Sequence, residues 1–343
     1  IIVDASRKVD DKTSSSSKMQ VDENAAGGKT TTLSFTDTTK INDQLQAVSE
    51  RTFGIGTTGL QQNAKYAIVR DKDGKKLEGS LTRQLSQDQT AVTQSNIFGL
   101  SGDVNDKVAL LGTIEKGRVQ NLDGTSTNRT AFTLGTGYVL KDVETAVERL
   151  TNSAKVELRL DNGVENKRQF VFYDALQGKL TDNLSASAKL QYDITQNMTT
   201  RQVEARHKEV ILGTAYRPVN FDRLNLIAQY TYKENVGPSG QVTTTDVQAS
   251  RAQVFSGEAV YDVDENWQLA EKFAMRINEE KVTGFEFNKT HTWLMIHRMN
   301  YRVDRNWTLS GEYRRLTVTE AKDSKQGFLL EATRNINDNA QLG

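Results

Sequence analysis

No cysteine occurs anywhere in the 343 residues. That removes disulfide bonding, thiolate metal ligation and thiol nucleophiles together, and it suits an exported chain. Proline is nearly absent too, at two positions. Because proline cannot donate to a β ladder, a chain made of strand interiors must exclude it; Pro218 and Pro238 both fall at expected strand ends or loops. No stretch reaches the roughly 18 consecutive apolar residues that a transmembrane helix needs. Three histidines leave little material for a metal or acid–base centre. Excess charge of one sign is missing as well: Lys+Arg and Asp+Glu both number 44. The charges are scattered, so no basic stripe points to nucleic acid. The chain opens on Ile1-Ile2-Val3-Asp4 without initiator Met or signal-type segment, as expected after processing or for an internal piece.

What the sequence does contain is a repeat. Tyr261-Asp262-Val263-Asp264-Glu265-Asn266-Trp267 returns forty residues later as Tyr301-Arg302-Val303-Asp304-Arg305-Asn306-Trp307. Looser copies surround Asp106, Asp142, Asp182, Asp222 and Asp338, with Asp43 and Asp73 extending the series backwards. Asp and Asn suit tight turns because their side chains bond nearby backbone and tolerate left-handed conformations. Each period also holds one looser loop midway, such as Asp123-Gly124-Thr125 or Asn197-Met198-Thr199. Two turns per period mean two strands of about 10 to 18 residues, a hairpin repeat and not a four-stranded propeller blade.

Within those spans residues alternate. Leu184, Ala186, Ala188, Leu190, Tyr192 and Ile194 lie on one face, with Ser185, Ser187, Lys189, Gln191 and Asp193 on the other. Leu224 to Lys233, Trp267 to Ile277 and Phe132 to Leu140 repeat the pattern. A period of two is that of a strand with one apolar and one wet face. A mean hydropathy of -0.60 does not argue against a membrane barrel, since only every second residue of a spanning strand meets lipid. A soluble sandwich also alternates. Strand length, repetition, and aromatics beside the turns favour the membrane: Tyr261, Trp267, Tyr301 and Trp307 sit where an interfacial girdle belongs. Against it, Glu271 interrupts the apolar phase, and Lys289, His291 and His297 lie in phase with Trp293 and Met295. A β-bulge would remove that conflict.

The expected fold is therefore all-β: an up-and-down antiparallel transmembrane β-barrel of about 18–22 strands, with short Asp/Asn turns on one side and longer loops on the other. Residues 1–29 read as a first strand (Ile1 to Val9) and a polar surface loop (Asp10 to Lys29, centred on Ser14-Ser15-Ser16-Ser17); residues 30–343 read as the barrel, with about eighteen strands. Because Ala340-Gln341-Leu342-Gly343 begins an outward strand without a return, the barrel is expected to be incomplete at both ends, or shared by several copies.

The segment Tyr301 to Tyr313, strand then Asp-Arg-Asn-Trp turn then strand, resembles bacterial outer-membrane β-barrel proteins. From about Tyr192 to Gly343 the chain is similar to the barrel domain that ends some very large multidomain bacterial surface proteins. The resemblance implies outer-membrane insertion, the lipid bilayer as partner, and a pore or an anchor for further domains or subunits. It brings no catalytic residues.

Other motifs add no chemistry. Gly27-Gly28-Lys29-Thr30 matches the end of a phosphate loop, but position 23 is Glu where Gly is required. His291 and His297 are about 20 Å apart along one strand, too far to share a metal. No enzyme, cofactor or metal is expected, nor a nucleic-acid partner. The wet-face residues Lys189, Lys233, Lys272, Arg276, Arg298, Arg302, Glu312 and Arg314 are the candidate lumen lining, and their basic bias hints at anionic solutes. The functional reading is a porin or export channel; the alternatives are a membrane anchor or scaffold, and a soluble or fibrous β-repeat protein.

Overall fold

The computed structural model describes residues 2–23, 29–56, 59–141, 149–164, 166–237, 247–282, 286–337 and 340–342. Among them lie twenty strands and no helix. Two compact units divide the chain, one made of Ile1–Val139, Ser153–Phe172 and Thr195–Val203, the other of Leu140–Asn152, Tyr173–Ile194 and Glu204–Gly343. The first unit contains β1 (Ile2–Lys8), β2 (Thr13–Glu23), β3 (Lys29–Lys40), β4 (Leu45–Gly56), β5 (Gly59–Lys72), β6 (Lys75–Gln87), β7 (Ala91–Asp103), β8 (Val108–Asn121) and most of β9 (Ser126–Lys141). β10 (Arg149–Gly163), β11 (Lys167–Thr181) and β12 (Leu184–Asn197) contribute residues to both units, and β13 (Val203–Tyr216) opens the run that completes the second. That run continues with β14 (Leu224–Val236), β15 (Val247–Asp262), β16 (Trp267–Val282), β17 (Asn288–Arg302), β18 (Trp307–Val318), β19 (Asp323–Asn337) and β20 (Ala340–Leu342).

From β1 to β9 each strand pairs antiparallel with the next in sequence. The same holds from β13 to β20. This is the up-and-down meander that the hairpin repeat predicts. Among the described residues β3 to β20 make eighteen strands, against the about eighteen expected from residue 30 onward.

The polar loop expected from Asp10 to Lys29 is overturned by β2, which pairs along its whole length with β3, from Thr13↔Thr39 to Glu23↔Lys29. A ladder is made by backbone groups, so a serine run does not prevent it. Ser15 donates to Asp37 at 2.6 Å, satisfying its hydroxyl across the strands. The expected strand before it is present as β1.

The tight turns work as their composition predicts, with one refinement. Asp264 and Asp304 each accept the backbone N–H groups two and three residues on, at 2.7 and 2.8 Å for Asp264 and 2.7 and 2.9 Å for Asp304. At two other turns the accepting residue is one position earlier than the aspartate of the series: Asn42 and Asn105 take the role. Thr181 does the same with its hydroxyl. Asp106 and Asp182 instead meet Lys75 and Lys179. Asp73-Gly74 forms a two-residue turn with φ of 56° and 77°, both left-handed, as a type I′ hairpin requires. Asp142, Asp338 and Pro238 lie outside the described residues.

Alternation separates the two faces in each unit. In the first, the register aligns Tyr66, Leu81, Phe98, Ile114 and Phe132 in one cross-strand row. These side chains are exposed, Phe98 at 57%. Ala67, Val69, Ser95 and Ala131 lie on the opposite face and are buried, Ala131 at 4%. Side chains are thus more crowded on the polar face of this unit than on the apolar one. In the second unit Tyr230, Phe255, Met275 and Trp293 form the corresponding apolar row.

Gly102, opposite Leu77 on β6, has φ of 138°, and a Cβ there would meet Lys76 O at 2.0 Å. Gly79 has open space around the same position. Gly102→Ala is therefore expected to cost on the order of 1–3 kcal/mol, read as a lower urea midpoint for the folded, heat-modifiable form on gels. Gly79→Ala serves as the neutral comparison; equal midpoints for the two variants would contradict this account.

Candidate functional site

The polar face of the second unit gathers the side chains singled out in the sequence. Successive registers place Ala270, Arg298 and Glu312 in one row, Lys272, Ile296 and Arg314 in the next, and Arg276 with Thr292 two rows further on. By the same alternation Lys233 and Arg302 belong to this face. Lys189 reaches it through its 2.6 Å contact with Glu209, the partner of Lys233 across β13 and β14. All eight predicted residues thus share one face.

They do not stand as a ring of free cations. Glu312, 8% exposed, accepts Arg314 and lies 3.5 Å from Arg298. Arg298 also reaches Glu331 at 3.3 Å and Asn300 at 2.9 Å, and Asn300 donates to Gln268 at 2.9 Å. Lys272 lies 3.6 Å from Glu258. Among the described residues no close salt bridge involves Lys233, Arg276 or Arg302, though Glu209 stands across from Lys233; Arg276 donates to Asn278 at 3.3 Å. Beside this network a recess of about 610 Å³ opens, lined by Gln268, Arg298, Asn300, Arg302, Ser310 and Glu331 among others.

The first unit builds a similar wall that the sequence reading missed. Lys65 bridges Glu78 at 2.8 Å and Glu50 at 3.9 Å. Arg129 grips Asp161 with two nitrogens, at 2.8 and 3.0 Å, the forked geometry that suits a guanidinium and a carboxylate. A recess of about 670 Å³ runs along this face past Thr32, Thr52, Gln61, Asn63, Gln84 and Ser95. Only the alternation itself could have flagged these residues, since each pair joins neighbouring strands in a register that sequence spacing does not fix.

The four girdle candidates occupy the opposite face at the tight turns. Trp267 is paired with Tyr301, their rings 4.3 Å apart. Tyr261 lies 6.2 Å from the Phe221 ring, and Arg334 sits 5.5 Å over Trp307.

On that same apolar face the anticipated conflict is real. β16 and β17 pair without a register shift, so no bulge rotates Glu271 away. Instead Glu271 faces His297 directly, and the two side chains hydrogen-bond, with the Tyr313 ring stacked on the imidazole at 6.1 Å. A charge that would be costly alone on an apolar face is matched by its cross-strand neighbour.

No protein-family model matches the chain, and no curated protein matches it in sequence. Solved structures do. The siderophore receptor PirA from Pseudomonas aeruginosa is similar with a TM-score of 0.54 at 8% identity, over 98% of this chain and 76% of that one. The copper transporter OprC is similar with a TM-score of 0.50 at 10% identity, over 99% of this chain and 70% of that one. At such identities the likeness is one of fold. The fold is that of bacterial outer-membrane transmembrane β-barrels: all-β, antiparallel and up-and-down.

Outside the strands, Glu320 accepts the His291 backbone N–H at 2.6 Å and bonds its ring, and these contacts, the ring first, push its carboxyl from 4.5 down to about 2. A depressed carboxyl stabilises the folded state above its unfolded value and loses that contribution as pH falls. Stability is thus expected to decline between pH 4.5 and about 2. An acid titration of tryptophan fluorescence should show a shallower decline for Glu320→Gln over that window; identical titrations would remove the assignment.

Proposed function

We propose that this chain is an outer-membrane protein whose polar face lines a water-filled passage for small polar or charged solutes. The observation that carries this reading is the division of faces: an exposed apolar face suited to lipid, and a polar face bearing recesses and cross-linked charges. Interior side chains of wide barrels border an aqueous channel, and their charges set ion preference. Here most of the predicted lumen cations are neutralised by Glu209, Glu258, Glu312 and Glu331. The passage is therefore weakly selective, with its residual anion preference resting on Lys233, Arg276 and Arg302. In this reading the protein is not an enzyme and uses no cofactor. A second reading, a membrane anchor for further domains, is favoured by the same cross-linking, which stiffens the wall whether or not solute passes.

Purified, folded protein in planar bilayers is expected to give stepwise conductance. The triple variant Lys233→Gln, Arg276→Gln, Arg302→Gln should shift the reversal potential in a salt gradient toward cations. Lys272→Gln, which removes one half of a pair, should instead free Glu258. Absence of any conductance from inserted protein would sink the passage and leave the anchor.

A further inference from the structure

The apolar face of the second unit ends in a charged cluster. One row beyond Val210, Tyr232, Gln253 and Ile277, the register places Lys208, Glu234, Arg251, Glu279 and Lys289 side by side across five strands. This is the side of the looser loops, away from the Trp267 and Trp307 turns. The hub is Glu234. It is 4% exposed, and it takes Arg206 at 2.7 Å, the Tyr232 hydroxyl at 2.8 Å, Arg251 at 3.6 Å and Lys208 at 3.7 Å. One carboxylate holds three cations together, and those cations keep 32%, 44% and 40% of their side-chain surface exposed, Arg206, Arg251 and Lys208 in turn. The Arg206 Nε is buried with no protein acceptor among the described residues.

Two further cations complete the cluster. Lys289 lies 3.7 Å from Glu279, and Lys281 stands over the Phe287 ring at 5.6 Å, which Arg251 shares at 5.0 Å. Among the described residues of this cluster, five cations, Arg206, Lys208, Arg251, Lys281 and Lys289, meet four carboxylates, Glu204, Glu234, Glu279 and, on the flanking His291, Glu320. Arg206, Lys208 and Arg251 keep part of their surface exposed beside the aromatic and aliphatic side chains of the next rows.

We propose that this cluster binds the phosphomonoester headgroup of a membrane lipid. Guanidinium and ammonium groups held side by side are the usual partners of a phosphate. The acyl chains would continue down the Tyr230, Phe255 and Met275 row, so one lipid meets both halves of the surface. Basic residues at the rim of a membrane protein's apolar surface are the chemistry by which anionic lipids are held. The first unit has a comparable rim: Arg83 and Lys116, exposed on its apolar face, lie one row beyond Leu81, Phe98 and Ile114. The inference rests on the transmembrane barrel fold and not on the passage.

Protein folded into phosphatidylcholine vesicles, with or without a minority of phosphatidic acid, can be extracted gently and its retained lipids counted by native mass spectrometry. The wild type is expected to retain phosphatidic acid over phosphatidylcholine. The variant Arg206→Gln, Lys208→Gln, Arg251→Gln should retain at least about tenfold less, since each basic residue contributes severalfold near a membrane surface. Lys281→Gln, Lys289→Gln leaves the Glu234 hub intact and should lose severalfold, which covers misfolding of the first variant. Equal retention of the two lipids, or undiminished retention by both variants, overturns the proposal. Displacement of the lipid by excess inorganic phosphate also overturns it, assigning the cluster to a free anion. Conductance is recorded from the same preparations: lipid retained without conductance removes the passage and keeps the site, and conductance without retention does the reverse.

Discussion

The structure depends on a constraint of solvent: in hydrocarbon no water is present to hydrogen-bond a backbone N–H or carbonyl, so each must find a partner in the protein. Antiparallel ladders between sequence neighbours meet that requirement with the shortest connections, and both units consist of nothing else among their described strands. Proline's near absence follows directly, since each one would leave a carbonyl without its donor. So does the special backbone of Gly102, whose approach to Lys76 O leaves no room for a side chain. The side chains of β2 are free to be serine because the ladder asks nothing of them.

Once ladders are fixed, alternation assigns every other residue to lipid, and charge must then be managed face by face. On the polar face, carboxylates and cations meet across strands, as in Lys65 with Glu78 and Arg298 with Glu312. On the apolar face the same chemistry recurs between neighbouring strands, directly opposite or one step along, as in Arg51 with Asp37. Glu271 and His297 are such a pair, held in register by an unshifted β16–β17 ladder. Glu234 gathers three cations at the margin of that face, where apolar side chains give way to charge.

Much of this was legible in the sequence because it is local. A period of two over Trp267 to Ile277 and an Asp-x-Asn-Trp turn each speak within a dozen residues. The approximate number of strands from Lys29 onward follows from turn spacing alone. What was hidden is either composition without period or pairing at a distance. Ser14 to Ser17 carry no apolar phase, so β2 read as a loop. The turn acceptors Asn42, Asn105 and Thr181 sit one place before the conspicuous aspartates, a shift that only backbone geometry reveals. Arg129 with Asp161, or Glu234 with Arg206, joins residues roughly thirty positions apart, and no spacing rule in a single sequence selects one cross-strand register over its neighbour.

That last point changes how the basic bias of the polar face should be read. Counted along the chain, the wet-face candidates are mostly cations and point to anions. Counted across the strands, Glu209, Glu258, Glu312 and Glu331 stand opposite them, and the electrostatic field of a paired wall falls off faster than that of isolated charges. A solute would then sense chiefly the cations left over, Lys233, Arg276 and Arg302, which lie at different heights on different strands. The cluster around Glu234 differs because its cations are held side by side by one carboxylate. Cations gathered in this way can hold a compact phosphate, whereas cations spread over different heights bias passage without creating a binding site.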